Sequence, residues 1–207
     1  IVIFVAKLFN KKIILRTSSS GEYLFPNQKS KLLLSQYEKT NQIIALSNQI
    51  KKDLINRGYI NKNIHIIGNS VKVPLRSWEY KSQFKIQGIF IGNLWQQPLK
   101  GIDVLLEAWK EVINQYTNFI LQICGDGDQR ALRKQVAKLD IINNVSFAGK
   151  VNDVYSEMLN ANIFILPSRV EGMSNALLEA MSIGMPCLAT NISGNQDLIQ
   201  TGYNMKI

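Results

Sequence analysis

The sequence predicts an α/β protein of parallel sheets arranged in two domains. Strand-like apolar runs alternate with helix-like stretches along the 207 residues. That β-α-β-α order gives a parallel sheet covered on both faces. The charge also changes abruptly. Residues 1–85 carry 15 Lys/Arg against 4 Asp/Glu, whereas residues 86–207 carry 9 against 11. A polar, irregular stretch, "NSVKVPLRSWEYKSQFKIQ" (69–87), contains Pro74 and coincides with that change, as a domain linker would. The expected division is a first domain over 1–75, a linker over 76–87 and a second domain over 88–207.

The chain opens on "IVIFVAKLF" (1–9), interrupted by Lys7. A membrane span needs about 20 residues. No basic stretch precedes the run and no small-residue cleavage site follows it, so a signal peptide is not expected either. The run reads as the interior of a domain whose start lies upstream. Strands are expected at "KIILRT" (12–17), "QIIAL" (42–46) and "IHIIG" (64–68), and helices at about 29–40 and 47–58. Ser47 would cap the second helix and Gly58 would stop it. His65, the only histidine, sits inside an apolar run and reads as a structural strand residue.

The second half alternates more cleanly. Strands are expected at 88–93, 119–125, 144–149, 163–167 and 186–191. Helices fall at 101–116, 128–139, 154–161 and 174–184, the last with Ser174 at its N-cap. In the helix over 101–116, Val104, Leu105, Ala108, Trp109 and Val112 form a stripe of 3.6-residue period. Cys124 and Cys187 lie in apolar runs without C-x-x-C spacing, so two buried reduced thiols are expected, not a disulfide framework.

Ligands of such sheets bind beyond the carboxyl ends of the strands, and four polar features fall there. Lys100 and Gly101 follow the strand at 88–93. Lys100 is either an ordinary surface lysine or a cation that shares an anion with a helix N-terminus. "GDGD" (125–128) imitates a D-x-D metal site, but a tight turn with Asp128 near a helix cap is the better reading, because two carboxylates alone make a poor magnesium cage. "FAGKV" (147–151) could present main-chain groups to a flat base edge. The loop "SRVEGMS" runs into the helix capped by Ser174, whose free N–H groups suit an anion. Gly172 would let the backbone approach a ligand closely. Glu171 precedes the turn and Glu179 lies inside the helix among apolar neighbours, where an acid needs partners.

These residues, in this order, resemble a known family. E-G-x-S-N-x-L-L-E-A-M-x-x-G-x-P is similar to the E-x7-E region of retaining glycosyltransferases of the group 1, or family 4, type. "IALSNQIKKDLINRGY", "IGNSV", "GNLWQQPLKGIDVLLEA", "ICGDGDQRALRK", "NVSFAGKV" and "ANIFILPSRVEG" match further family stretches in sequence order. The resemblance implies the GT-B fold, two Rossmann-like parallel-sheet domains facing a cleft, the first only partly present here. It implies that Lys100 binds the donor diphosphate and that Glu171 contacts the donor sugar. Gly172, Met173, Ser174 and Asn175 would supply backbone amides to sugar and phosphate. Glu179 would hold the nucleoside ribose, and Lys150 and Val151 would read the base. The family often carries Gly-Arg where this chain has Gly92 and Asn93. One cation on the leaving group is therefore missing, or Arg169 or a residue outside the fragment replaces it.

The function so implied is transfer of a sugar from a UDP-, GDP- or other nucleoside-diphosphate sugar to a glycan, lipid-linked or polysaccharide-precursor acceptor. Retention of configuration is expected, with neither metal nor cofactor, and the isolated fragment is expected to be inactive. The basic first half fits an acceptor at an anionic membrane surface, which suggests a cytoplasmic protein peripheral to the cell membrane. The alternative is a module that binds sugar nucleotides without turnover. Nucleic acid is not an expected partner, since the basic half lacks interleaved aromatics and any recognisable module.

Overall fold

Parallel pairing alone builds both sheets of the computed structural model, which describes residues 6, 9–17, 40–56, 63–81, 84–199 and 205–206. The expected helix at 29–40 falls, but for its last residue, outside the described residues. Two units result. The smaller comprises Ile1–Asn69 with Val170–Ser174 and Ile192–Leu198; the larger comprises Ser70–Arg169, Asn175–Asn191 and Ile199–Ile207.

In the smaller unit, β1 (Ile14–Thr17), β2 (Gln42–Ala45) and β3 (Ile64–Ile66) pair in the order β1-β2-β3. His65 lies in β3 opposite Ile44. Period-2 alternation sends Ile43 and Ala45 of β2 into the core. Helix α1 (Asn48–Asn56) starts where Ser47 Oγ accepts the N–H of Ile50 at 3.1 Å, the expected N-cap. The Asp197 carboxylate accepts from the Asn48 side chain at 3.0 Å and also from its N–H. Ile50 and Leu54, one turn apart, bury against Ile43, Leu46 and Ile64, and Met173 packs on the same cluster.

The larger unit holds six strands in the order β6-β5-β4-β7-β8-β9. These are β4 (Ile86–Ile91), β5 (Phe119–Cys124), β6 (Val145–Gly149), β7 (Ile163–Leu166), β8 (Cys187–Ala189) and β9 (Met205–Lys206). Counted within this unit the order is 3-2-1-4-5-6, the doubly wound arrangement. The sequence suggested five strands here. The sixth is two residues long, too short for any alternation to announce it. The helices are α2 (Gln97–Lys100), α3 (Ile102–Gln115), α4 (Arg130–Lys138), α5 (Val154–Leu159) and α6 (Asn175–Ser182); α7 (Ser193–Gln196) belongs to the smaller unit.

The buried stripe of α3 keeps Leu105 and Trp109 of the one the sequence suggested but is rotated away from Val104 and Ala108. Ile102, Leu105, Leu106 and Trp109 face inward, while Val104 is 54% exposed and Ala108 is exposed. Both series have helical spacing, so periodicity alone could not choose between them. The stripe that wins carries the larger side chains. Both cysteines are free and buried, and burial pushes each thiol up to about 12. The segment after Ser70 lies along the larger unit. Trp78 donates its N–H to the Ile183 carbonyl at 2.7 Å and its indole N–H to the Ala161 carbonyl at 2.7 Å.

Phe164 is fully buried in β7, paired with β4 on one side and β8 on the other. Phe164→Ala is expected to cost about 3–5 kcal/mol, read as a lower denaturant midpoint in chemical unfolding.

Candidate functional site

The larger sheet reverses direction at β4. The chain moves outward through β5 to β6, then returns to place β7 on the other side of β4. The crevice beyond the carboxyl ends of β4 and β7 is where doubly wound sheets bind ligands. The loop leaving β4 is organised from its first residues. Asn93 Oδ1 accepts the N–H of Trp95 at 2.8 Å, opening a 3₁₀ turn (Leu94–Gln96) that runs into the single turn of α2. Lys100 ends α2 and is half-buried. The sequence placed it at a helix start. It does stand directly before Gly101, the N-cap of α3, and it is also the last residue of one short helix. The C-terminal position suits a cation.

Gly101 is required on two counts. Its φ is +65°, and a Cβ there would lie 2.0 Å from the Pro167 carbonyl oxygen. The segment leaving β7 therefore lies directly on the start of α3. It is tied there further. Arg169 donates its N–H to the Leu99 carbonyl at 2.8 Å. Arg169 Nη1 donates to the Pro98 carbonyl and to Asp103 Oδ1, and Nη2 to Asp103 Oδ2, each at 2.7 Å. That hydrogen bonding, more than the charge of Arg169, holds the Asp103 carboxyl below its usual 3.8 despite partial burial. Sequence reasoning missed Asp103; its one signal was an acid in the first turn of a helix.

Asn175 is exposed at the first position of α6, and Ser174, immediately before it, is buried. Leu177 and Ala180 bury one face of α6, and Glu179 lies half-buried beside them. Burial raises the Glu179 carboxyl above its usual 4.5, and no cation or donor among the described residues offsets it. Lys150 is exposed and Val151 half-buried, both after β6, the edge strand two places from β4. "GDGD" forms the turn the sequence favoured. Asp128 Oδ1 accepts the N–H of Arg130 at 2.9 Å, and the Arg130 guanidinium grips both carboxylate oxygens at 2.6–3.0 Å. These bonds hold the Asp128 carboxyl down at about 2.

Glu171, Gly172, Met173 and Ser174 are built into the smaller unit. The Met173 side chain packs on its core and accepts the Asn69 N–H at 3.1 Å through sulfur. Asn69 Nδ2 donates to the Met173 carbonyl at 3.0 Å, and Arg16 donates to Asn69 Oδ1. Gly194 sits so close that a Cβ would lie 2.3 Å from the Glu171 oxygen and 2.7 Å from that of Gly172. Three successive carbonyls of this loop therefore face protein neighbours. Sequence reasoning missed Asn69, Arg16 and Gly194 as supports, although Asn69 stood inside a quoted motif.

A family model described as Glycosyl transferases group 1 matches residues 85–206. A glycosyltransferase of Haemophilus influenzae without assigned specificity is 36% identical over 116 residues, covering 55% of this chain and 32% of that protein. The Escherichia coli UDP-Gal:alpha-D-GlcNAc-diphosphoundecaprenol alpha-1,3-galactosyltransferase is 30% identical over 183 residues, covering 80% of this chain and 46% of that one. The crystal structure of S. aureus TarM with fondaparinux, alpha-GlcNAc-glycerol and UDP superposes with a TM-score of 0.82 at 22% identity. It covers 98% of this chain and 43% of TarM, and supports a GT-B fold. The chain spans about a third to a half of the length of these curated relatives.

Glu179 gives the site a pH signature. Its raised carboxyl binds protons more tightly in the folded state than in the unfolded chain. Stability is therefore lost as pH rises from 4.5 through the folded value. Glu179→Gln is expected to match wild type in acid and to exceed it in thermal stability at neutral pH, measured as melting temperature against pH.

Proposed function

We propose, from the premise that this chain belongs to the group 1 glycosyl transferases, that it provides the nucleotide-sugar side of an enzyme transferring a sugar from a nucleoside diphosphate to a glycan or lipid-linked acceptor with retention of configuration. The half-buried carboxylate of Glu179, with no compensating group among the described residues, is the observation that carries this reading. A carboxylate that is partly desolvated and has no compensating group among the described residues suits two vicinal hydroxyls, and a ribose offers them. Lys100 supplies a cation for the diphosphate. The loop of Glu171, Gly172, Met173 and Ser174, with Asn175 beyond it, supplies amides and a carboxylate for the sugar and its phosphate. Val151 main chain and Lys150 read the base.

Breaking the sugar–diphosphate bond places negative charge on the departing phosphate while the sugar becomes oxocarbenium-like. Preorganised donors aimed at such charge contribute about 3–4 kcal/mol each. Lys100 and the first-turn amides of α6 are such donors, and they require no metal. Asn93 stands where the family often has arginine. With Oδ1 engaged by Trp95, its amide nitrogen is the group it can offer an anion. Asn93 also favours a second reading, a module that binds the nucleotide sugar without turnover. Nucleotide binding by the full-length protein beside a null transfer assay would select that reading.

The acceptor is proposed to be lipid-linked, in line with the diphosphoundecaprenol named for the Escherichia coli relative. No helix among the described residues is long and apolar enough to cross a membrane. Contact with anionic lipid would instead come from the basic first half.

Calorimetry and a transfer assay on the full-length protein against a panel of sugar nucleotides test the central reading. Glu179→Ala is expected to weaken nucleotide binding roughly tenfold or more, and Lys100→Ala to lower turnover by roughly a hundredfold or more. Unchanged nucleotide affinity in the first variant removes the ribose assignment; unchanged rate in the second removes the phosphate assignment. Co-sedimentation with phosphatidylglycerol vesicles at low salt is expected to capture the protein and to fail at high salt. Absence of capture at low salt discards the membrane contact.

A further inference from the structure

Arg169 is the one cation near the crevice that sequence reasoning offered as a substitute for the missing arginine, and its geometry assigns it a different task. Both terminal guanidinium nitrogens are engaged by protein oxygens. Nη1 serves both the Pro98 carbonyl and Asp103 Oδ1, and Nη2 serves Asp103 Oδ2, all at 2.7 Å. A paired, bidentate carboxylate cancels the charge that a phosphate would seek. The same residue donates its main-chain N–H to the Leu99 carbonyl at 2.8 Å. Its contacts therefore fall on residues 98, 99 and 103, on both sides of Lys100. Between them, Gly101 lies against the Pro167 carbonyl with no room for a side chain.

We propose that Arg169, with Asp103, is a positioning residue for Lys100: the ion pair fixes the turn between α2 and α3 so that the ammonium meets the diphosphate already in place. This rests on the reading of Lys100 as a diphosphate ligand. The physical ground is preorganisation. A lysine side chain on a free loop loses more freedom on binding an anion than one whose backbone is held on both flanks. Arg169 also neutralises Asp103, an acid three residues from Lys100 at the start of α3 that would otherwise repel the anion.

Calorimetry separates this role from direct phosphate contact. The paired variant Arg169→Gln/Asp103→Asn removes one charge of each sign, so the net charge of the crevice is unchanged and only the tether is lost. It is compared with wild type, with Lys100→Ala and with the triple variant, all in the full-length protein. The probes are UDP, GDP, ADP and dTDP, each against its own nucleoside. The paired variant is expected to bind the preferred diphosphate roughly tenfold more weakly and the matching nucleoside as wild type does. In the Lys100→Ala background the pair should cause no further loss beyond about twofold, since the two changes act on one interaction. Undiminished diphosphate affinity in the paired variant overturns the proposal, and so does a loss that multiplies with that of Lys100→Ala. Equal loss for nucleoside and diphosphate also overturns it, as the mark of general damage to the fold. Arg169→Lys, which keeps the charge but cannot bridge a carboxylate with two parallel bonds, is expected to bind the diphosphate as weakly as the paired variant does. Full recovery by lysine would overturn the tether. If wild type binds none of the four diphosphates, the reading of Lys100 itself fails. If wild type binds and Lys100→Ala is silent while the pair is not, the positioning claim fails and nucleotide binding stands.

Discussion

The approach of Gly101 to the Pro167 carbonyl is the constraint on which the rim of the larger sheet depends. A side chain at 101 would lie 2.0 Å from that oxygen, so the two segments meet backbone to backbone. Each residue turns a helix by about 100°, and fixing the first residue of α3 therefore fixes which face reaches the sheet. Ile102, Leu105, Leu106 and Trp109 go in, and Val104 is left out. The stripe follows from where the helix is pinned as well as from which side chains are apolar. The same contact sets the place of Lys100, one residue earlier.

Charge is handled in two ways across this unit. Asp103 and Asp128 are each gripped by an arginine, and each carboxyl is held below its usual range. Asp103 lies in the first turn of α3 and Asp128 in a loop turn, and an arginine satisfies the charge of each. Glu179 has burial without a partner among the described residues, and its carboxyl moves the other way. An acid of that kind costs stability and contributes nothing to packing that glutamine could not. In the reading proposed here, a ligand at the rim accounts for its presence.

How much of this was legible in the sequence follows from the range of each interaction. Five of the six strands of the larger sheet stood out because doubly buried strands are continuous apolar runs, and the structure trims them by one to three residues, apart from β4, which is shifted to Ile86–Ile91 from the expected 88–93. Lys100, Glu171 and Glu179 stood out because their spacing to glycines and helix starts is local. The stripe of α3 was legible only in part: Leu105 and Trp109 were read correctly, but its phase was not, since two neighbouring stripes share one period. The pair of Arg169 and Asp103 spans 66 positions, and Asn69 reaches Met173 across 104. No local pattern announces partners that only the folded chain brings together. Met173 shows the same gap. Read as a donor of a backbone amide, it is also an apolar anchor whose side chain packs on the core of the smaller unit.

Asn93 brings these threads together. An arginine at that position could bring a second cation but could not accept the Trp95 N–H that opens the turn after β4. Asparagine gives up the cation and gains an organised loop, a 3₁₀ turn followed directly by α2. That loop ends at Lys100, and on both sides of it the chain is held, through Pro98 and Leu99 before and Gly101 and Asp103 after, by the segment leaving β7. A single cation serves a diphosphate in proportion to how little it must reorganise. In the reading proposed here, the rim keeps one ammonium and fixes its backbone from both flanks, in place of presenting two cations on a looser turn.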